Sequence, residues 1–162
     1  LAQRDYITRA GWQTLAAELD NLWRERRPHV VRELAAAAAE GDRSENAEYI
    51  YRKKELREID SRIRYLRRRL DALTVVEPQG TSSDRVYFGA SVEILDDADT
   101  HQRYRIVGAD ETNAATGAIS MHSPVARALL GCQVGDEVVV ETPGQRRYLS
   151  IESISYDDTE AS

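Results

Sequence analysis

The sequence predicts an α+β protein in two dissimilar parts: an N-terminal antiparallel coiled-coil hairpin, then a small antiparallel β-sheet domain carrying one short helix. Three observations carry that prediction. Apolar residues of the first half recur at alternating intervals of three and four, those of the second half fall in short β-rich runs, and the charge changes sign between the halves. Residues 1–76 hold 16 Lys/Arg against 13 Asp/Glu, a net +3, whereas residues 77–162 hold 6 against 15, a net −9. Segment 77–84, EPQGTSSD, combines Pro, Gly, Ser and Thr and reads as a linker between a hairpin at 1–76 and a sheet domain at 85–162.

In the first helix Trp12, Leu15, Leu19 and Leu22 form an apolar stripe that resumes at Val30 or Val31 and Leu34. Pro28 interrupts it; without an N–H it is expected to remove one backbone bond and bend the helix. Trp12 and Trp23 read as packing residues. The second helix carries Leu56, Ile59, Ile63, Leu66, Leu70 and Leu73, the spacing of a coiled-coil seam. Gly41 lets the chain reverse without a Cβ clash, so the arms run antiparallel, each about 45 Å long at ~1.5 Å per residue. A monomeric hairpin is expected. Lys53, Arg57, Arg64 and Arg68 fall within about 60° of one another, off the seam, whereas Arg52 falls on the inter-helix side and needs a partner.

The second half supplies candidate strands at 85–95, 101–109, 117–121, 135–142 and 146–156. Between them SPVARALLG, 123–131, has Ser at the N-cap, Pro at the first helical position and Gly at the end, a complete short helix.

Several function classes are disfavoured. Cys132 is the only cysteine, so no internal disulfide forms and a reducing compartment is the simpler reading. No apolar run approaches the ~20 residues of a membrane span and the start LAQRDYITRA has no signal pattern, so a cytoplasmic protein without membrane contact is expected. His29, His101 and His122 have no partner at metal-ligand or catalytic-triad spacing.

The stretch joining the arms, GDRSENAEY at 41–49, admits two readings. Asp42 and Glu45 are three apart, the spacing of a capping box with Asp42 as N-cap and Glu45 at N3. The same two carboxylates sit at the far end of the hairpin, where they can reach into another molecule.

Three blocks in order carry a family resemblance: LWRERRP at 22–28, GDRSENAEYIYRKKELREIDSRIRYL at 41–66 and SPVARALLG at 123–131. The chain resembles the bacterial GreA/GreB family of transcript cleavage factors from about Ile7 to Tyr156, and its tip lies on the GreB side of that family. The resemblance implies an FKBP-like sheet domain and a partner, RNA polymerase, whose secondary channel the hairpin enters and whose rim the sheet domain holds. It implies that Asp42 and Glu45 hold a Mg²⁺ ion shared with the polymerase active site, that Ser44 and Asn46 position the tip, and that the isolated protein binds no metal and hydrolyses nothing. It further implies that Arg52, Lys53, Lys54 and Arg57 face the extruded 3′ segment of nascent RNA, and that His122, Ser123 and Pro124 meet the polymerase rim. Relatives usually carry Asn or Asp where this chain has His122, which bears on the strength of rim docking. The alternative is a Gre-like inhibitor that occupies the channel without cleavage. A prolyl isomerase reading is disfavoured because aromatics in the sheet half are few and scattered.

Overall fold

The computed structural model describes residues 5–41, 45–77 and 84–156. The chain divides into two compact units, Trp12–Leu73 and the segments flanking it. Residues 5–11 and 74–76 group with the sheet.

The helical unit holds α1 (Arg9–Asn21) from Trp12 onward, a π-helical segment (Leu22–Arg26), α2 (Arg27–Ala38) and α3 (Ala47–Ala72). Pro28 does not break the first arm. It lies in the first turn of α2, and the turn before it takes the π register, with the Arg27 amide bonding to the Leu22 carbonyl. A proline has no amide to offer the turn behind it, and widening that turn accommodates the missing bond without ending the helix. The seam is built as the spacing predicts. Val30, Ile59 and Ile63 are buried together, with Leu19, Leu22 and Leu56 packed against them. Val30 rather than Val31 takes the inward position. Each such side chain removed from water contributes roughly 1.5–3 kcal/mol. Trp12 and Trp23 depart from expectation: both are exposed, Trp23 by 50%.

Ion pairs flank the seam on the hairpin. Arg62 donates twice to Glu18 at 2.8 and 3.0 Å, Arg27 Nε donates to Asp60 at 2.7 Å, and Arg26 approaches Glu55 at 3.6 Å. The Asp60 hydrogen bond holds the Arg27 guanidinium above its ordinary value. Such half-exposed pairs add little energy but favour one register of the two arms.

In the sheet unit, β1 (Tyr6–Ile7) pairs in parallel with β2 (Thr74–Val75). The main sheet runs β5-β4-β3-β7-β6, built from β3 (Ser91–Asp96), β4 (His101–Val107), β5 (Ala118–Ser120), β6 (Glu137–Thr142) and β7 (Gln145–Ser155). It is antiparallel except for β4 with β5, which run parallel, so the sheet is not uniformly antiparallel as expected. The helix α4 (Pro124–Leu129) buries Ala126 and Leu129 against Val92, Ile94, Ile106, Val138, Val140, Leu149 and Ile151. The apolar alternation of β7 changes phase between Ile151 and Ile154. A register shift opposite Glu93/Ile94 absorbs the extra residue and keeps Ile154 packed on the core. Burial, with Asp136 adding to it, pushes the Cys132 thiol up.

Sequence periodicity did not reveal the carboxylate that ties the start of the chain to this unit. Glu111 accepts from the Thr8 and Gly108 amides at 3.0 and 2.9 Å and from the Thr8 hydroxyl, which in turn accepts from the Gly11 amide at 3.1 Å. Gly108 is required by close approach, since a Cβ there would lie 2.1 Å from the Tyr6 carbonyl oxygen. Removing the carboxylate strands several donors in a partly buried place, at about 1–3 kcal/mol for each that stays dry. Glu111→Ala is expected to lower the urea midpoint markedly and Glu111→Gln, which keeps one acceptor, to lower it less. Equal midpoints for all three proteins would show that water replaces the carboxylate without cost.

Candidate functional site

The arms of the helical unit are joined between Ala38 and Ala47. Each helix end that meets there leaves backbone groups without intrahelical partners, α2 its last carbonyls and α3 its first amides. Asn46 serves both ends. Its Oδ1 accepts from the Tyr49 amide at 3.0 Å as the N-cap of α3, and its Nδ2 donates to the Ala37 carbonyl of α2 at 2.7 Å. Gly41 has φ of +128°, a value that a residue with a Cβ rarely adopts.

This arrangement corrects the capping-box reading. The N-cap of α3 is Asn46, so Glu45 precedes the helix instead of occupying its N3 position. Glu45 is exposed and has no hydrogen-bond or ion-pair partner among the described residues. Asp42 and Ser44 lie outside the described residues. Among those described, no cluster of three His, Cys, Asp or Glu side chains forms a metal cage.

The four basic residues singled out beyond the tip separate into two kinds. Arg52 is turned inward, 23% exposed, and donates to Glu48 at 2.8 Å and Glu55 at 3.0 Å, with Glu33 of the facing helix at 3.9 Å. Hydrogen bonds to Glu48 and Glu55 hold its guanidinium above the ordinary value. Its charge is met within the hairpin, which supplies the partner its inward position demands and removes it from the free cations. Lys53, Lys54 and Arg57 are exposed. Lys53 lies over the Tyr49 ring at 5.8 Å, and Lys54 makes only a loose 4.0 Å approach to Glu58.

In the sheet unit, Ser123 is the N-cap of α4, its hydroxyl accepting from the Ala126 amide at 3.3 Å, and Pro124 opens the helix and is exposed. His122 immediately before them is not loose: its Nε2 lies 3.0 Å from Asp5 Oδ1 and its backbone amide donates to Ser120 Oγ at 3.1 Å. The Asp5 contact spans 117 residues, beyond any local motif. A cleft of about 440 Å³ in the same unit is lined by Thr8, Ser91, Arg103, Arg105, Glu111 and Asn113 among others, none of them aromatic. It does not provide the apolar pocket that proline recognition needs.

Comparison with known proteins agrees with both units. A family model described as "Transcription elongation factor, N-terminal" matches residues 5–75, and one described as "Transcription elongation factor, GreA/GreB, C-term" matches residues 81–156. The chain belongs to the GreA/GreB family of transcription elongation factors. It is 57% identical over 152 residues to the transcription elongation factor GreB of Xanthomonas axonopodis pv. citri, covering 93% of this chain and 90% of that one. To the transcription elongation factor GreB of Yersinia pestis it is 52% identical over 153 residues, covering 94% and 90%. A solved structure of the transcription factor Gfh1 is 27% identical, with a TM-score of 0.45 over 95% of this chain and 99% of that one.

Asn46→Ala removes both cap contacts. The expected loss is about 1–2 kcal/mol, read as a lower thermal midpoint with slower-to-form or frayed helix at the start of α3 by amide exchange. Asn46→Asp keeps the acceptor but not the donor to Ala37 and should fall between the two. An unchanged exchange pattern near Tyr49 in Asn46→Ala would sink the double-cap assignment.

Proposed function

We propose that this protein inserts its helical hairpin into the secondary channel of RNA polymerase and stimulates the polymerase's own cleavage of backtracked nascent RNA. The observation that carries this reading is the exposed Glu45 carboxylate, without a partner among the described residues, beside a turn held by Asn46, in a chain belonging to a transcription elongation factor family. Asp42 and Glu45 are the residues assigned to hold Mg²⁺, jointly with the polymerase active site. Two carboxylates suit an ion that takes one or two protein carboxylates and keeps the rest of its sites for water and phosphate. When bound, that ion supplies Lewis-acid stabilisation of the entering and leaving oxygens and a more acidic water. The chain's own part is to present the carboxylates at a fixed place. Asn46 holds the start of α3 against the end of α2, and Ser44 is assigned a supporting role in positioning the tip.

Lys53, Lys54 and Arg57 are assigned to the phosphates of the extruded RNA 3′ segment, where exposed cations act by charge attraction. Arg52, neutralised inside the hairpin, is assigned to holding the helix that carries them. His122, Ser123 and Pro124 are assigned to the polymerase rim, and the Asp5 contact holds His122 in place beside the helix opening. The open carboxylate at Glu45 favours a stimulator over a channel-blocking inhibitor.

The decisive experiment uses a stalled, backtracked elongation complex with Mg²⁺ and measures release of short 3′ RNA fragments. Asp42→Asn with Glu45→Gln is expected to lower stimulated cleavage by at least about a hundredfold, since several kcal/mol of charge stabilisation is withdrawn and each ~1.4 kcal/mol is tenfold in rate. Polymerase binding should stay near parental, making the double variant a competitor. Parental cleavage by that variant would reduce the two acids to turn residues.

Lys53→Glu with Lys54→Glu is expected to weaken cleavage of long backtracked segments more than short ones, because only the longer RNA reaches residues about two turns beyond the tip. The difference should shrink as salt rises. Equal loss at every RNA length would point to impaired docking.

A further inference from the structure

The 440 Å³ cleft of the sheet unit gathers polar groups that the function proposed above does not use. Val92, Ile94 and Ile106 pack in the core with α4, so alternation along β3 and β4 turns Ser91, Arg103 and Arg105 to the opposite face. Ser91 is the register partner of Arg105, and Arg105 that of Ala118, so β3, β4 and β5 contribute one row to the cleft. Ser91 is only 9% exposed, yet its hydroxyl has no hydrogen-bond partner among the described residues. The Asn113 Oδ1 accepts from the Ala115 amide at 3.0 Å, which leaves its NH₂ to donate. Glu111 spends Oε2 on the Thr8 and Gly108 amides and one lone pair of Oε1 on the Thr8 hydroxyl, so one acceptor position remains. Residues 77–162 hold only 6 Lys/Arg against 15 Asp/Glu, and two of the six line this cleft beside a single lining carboxylate. Arg103 and Arg105 also make contacts within the protein; a guanidinium has five N–H donors and keeps some of them after one such contact.

We propose that this cleft binds a small hydroxylated phosphomonoester, with Arg103, Arg105, Ser91 and Asn113 donating to the phosphate and Glu111 accepting from a ligand hydroxyl. Donors outnumber acceptors around the cleft, which selects an anion. A phosphate, with three terminal oxygens, uses more of those donors than a carboxylate with two. The volume exceeds what inorganic phosphate fills and lies within the ~300–1,000 Å³ of small-molecule sites. No aromatic side chain lines the cleft, so nothing there stacks a base, and the ligand is a phosphorylated polyol or sugar and not a nucleotide recognised by its base. A ligand oxygen would also give the nearly buried Ser91 hydroxyl the partner it lacks. Thr8 lines the cleft too, so a bound ligand would join residues 5–11 to the sheet alongside Glu111.

The test titrates the full chain, labelled with ¹⁵N, with ribose 5-phosphate at low salt and follows the amide signals. Saturable shifts centred on Ser91, Arg105 and Asn113 are expected, with a Kd below about 1 mM, and the thermal midpoint should rise with ligand concentration. Ribose at the same concentrations should shift nothing, and inorganic phosphate should bind at least about fivefold more weakly because it makes no hydroxyl contact to Glu111. Arg105→Gln is expected to weaken binding at least about tenfold, a loss that shrinks as salt rises. Ser91→Ala, which removes only a hydroxyl, should weaken it about threefold, and it decides the matter if Arg105→Gln fails to fold. The inference is overturned by any of four results: no saturable shift up to about 10 mM ligand, ~4 kcal/mol short of micromolar binding; shifts centred away from the cleft; ribose or inorganic phosphate binding as tightly as ribose 5-phosphate; or parental affinity in a folded Arg105→Gln or in Ser91→Ala. A short RNA that moves the same signals at lower concentration overturns it in favour of nucleic-acid phosphate.

Discussion

Two helices meeting at a tight reversal must satisfy each other's ends, and here one amide side chain does so. Asn46 accepts from the first turn of α3 and donates to the last turn of α2. A side chain carrying both a carbonyl and an NH₂ performs both tasks; an ionised acid could cap α3 but could not donate to Ala37. This has a chemical consequence for the residue next to it. A carboxylate consumed by helix capping is bonded to amides and partly offset by the helix dipole, so its capacity to hold a cation is reduced. With Asn46 in the cap, Glu45 stays exposed and unbonded among the described residues.

The same division between structural and available groups runs along the hairpin. Arg52 and Lys53 are neighbours in sequence, yet a rotation of 100° turns the first toward Glu33, Glu48 and Glu55 and the second outward. Between the buried seam and the solvated face, Arg27 and Arg62 set the register with Asp60 and Glu18. Pro28 adds a local irregularity without cutting the arm. The π turn ahead of it keeps α1 and α2 in one helical run, and Trp23 within that turn is left half exposed with guanidiniums over its ring.

The sheet unit is closed by contacts of a different kind. Its core is ordinary sheet-on-helix packing, with α4 over β3, β6 and β7. What fastens residues 5–11 to it is polar: Glu111 collects donors from Thr8 and Gly108, and Asp5 meets His122. These bonds hold both the N-terminal segment and the loop that opens α4. His122, which the family resemblance assigns to polymerase docking, is thus also a structural residue.

Local pattern was enough to determine the hairpin seam, the reversal at Gly41, the short helix after Ser123 and five main strands within a few residues, because each depends on periodicity or on a cap readable from neighbours. The blocks at 22–28, 41–66 and 123–131 were likewise sufficient to point to the family. The choice of Val30 over Val31, Glu33 as the facing-helix partner of the inward Arg52 and the exposure of Trp23 were decided by packing of one arm on the other, which no single arm's pattern contains. Asn46 as the cap was hidden by a competing Asp42/Glu45 spacing that fits the capping box equally well on paper; the donor to Ala37 breaks that tie only once both arms are folded together. The two-residue strands β1 and β2, the parallel β4/β5 pair, Glu111 with Thr8 and Asp5 with His122 join residues far apart in the chain. Such contacts leave no periodic trace, since the free energy that selects them arises only when tertiary structure brings the buried donors and acceptors within reach.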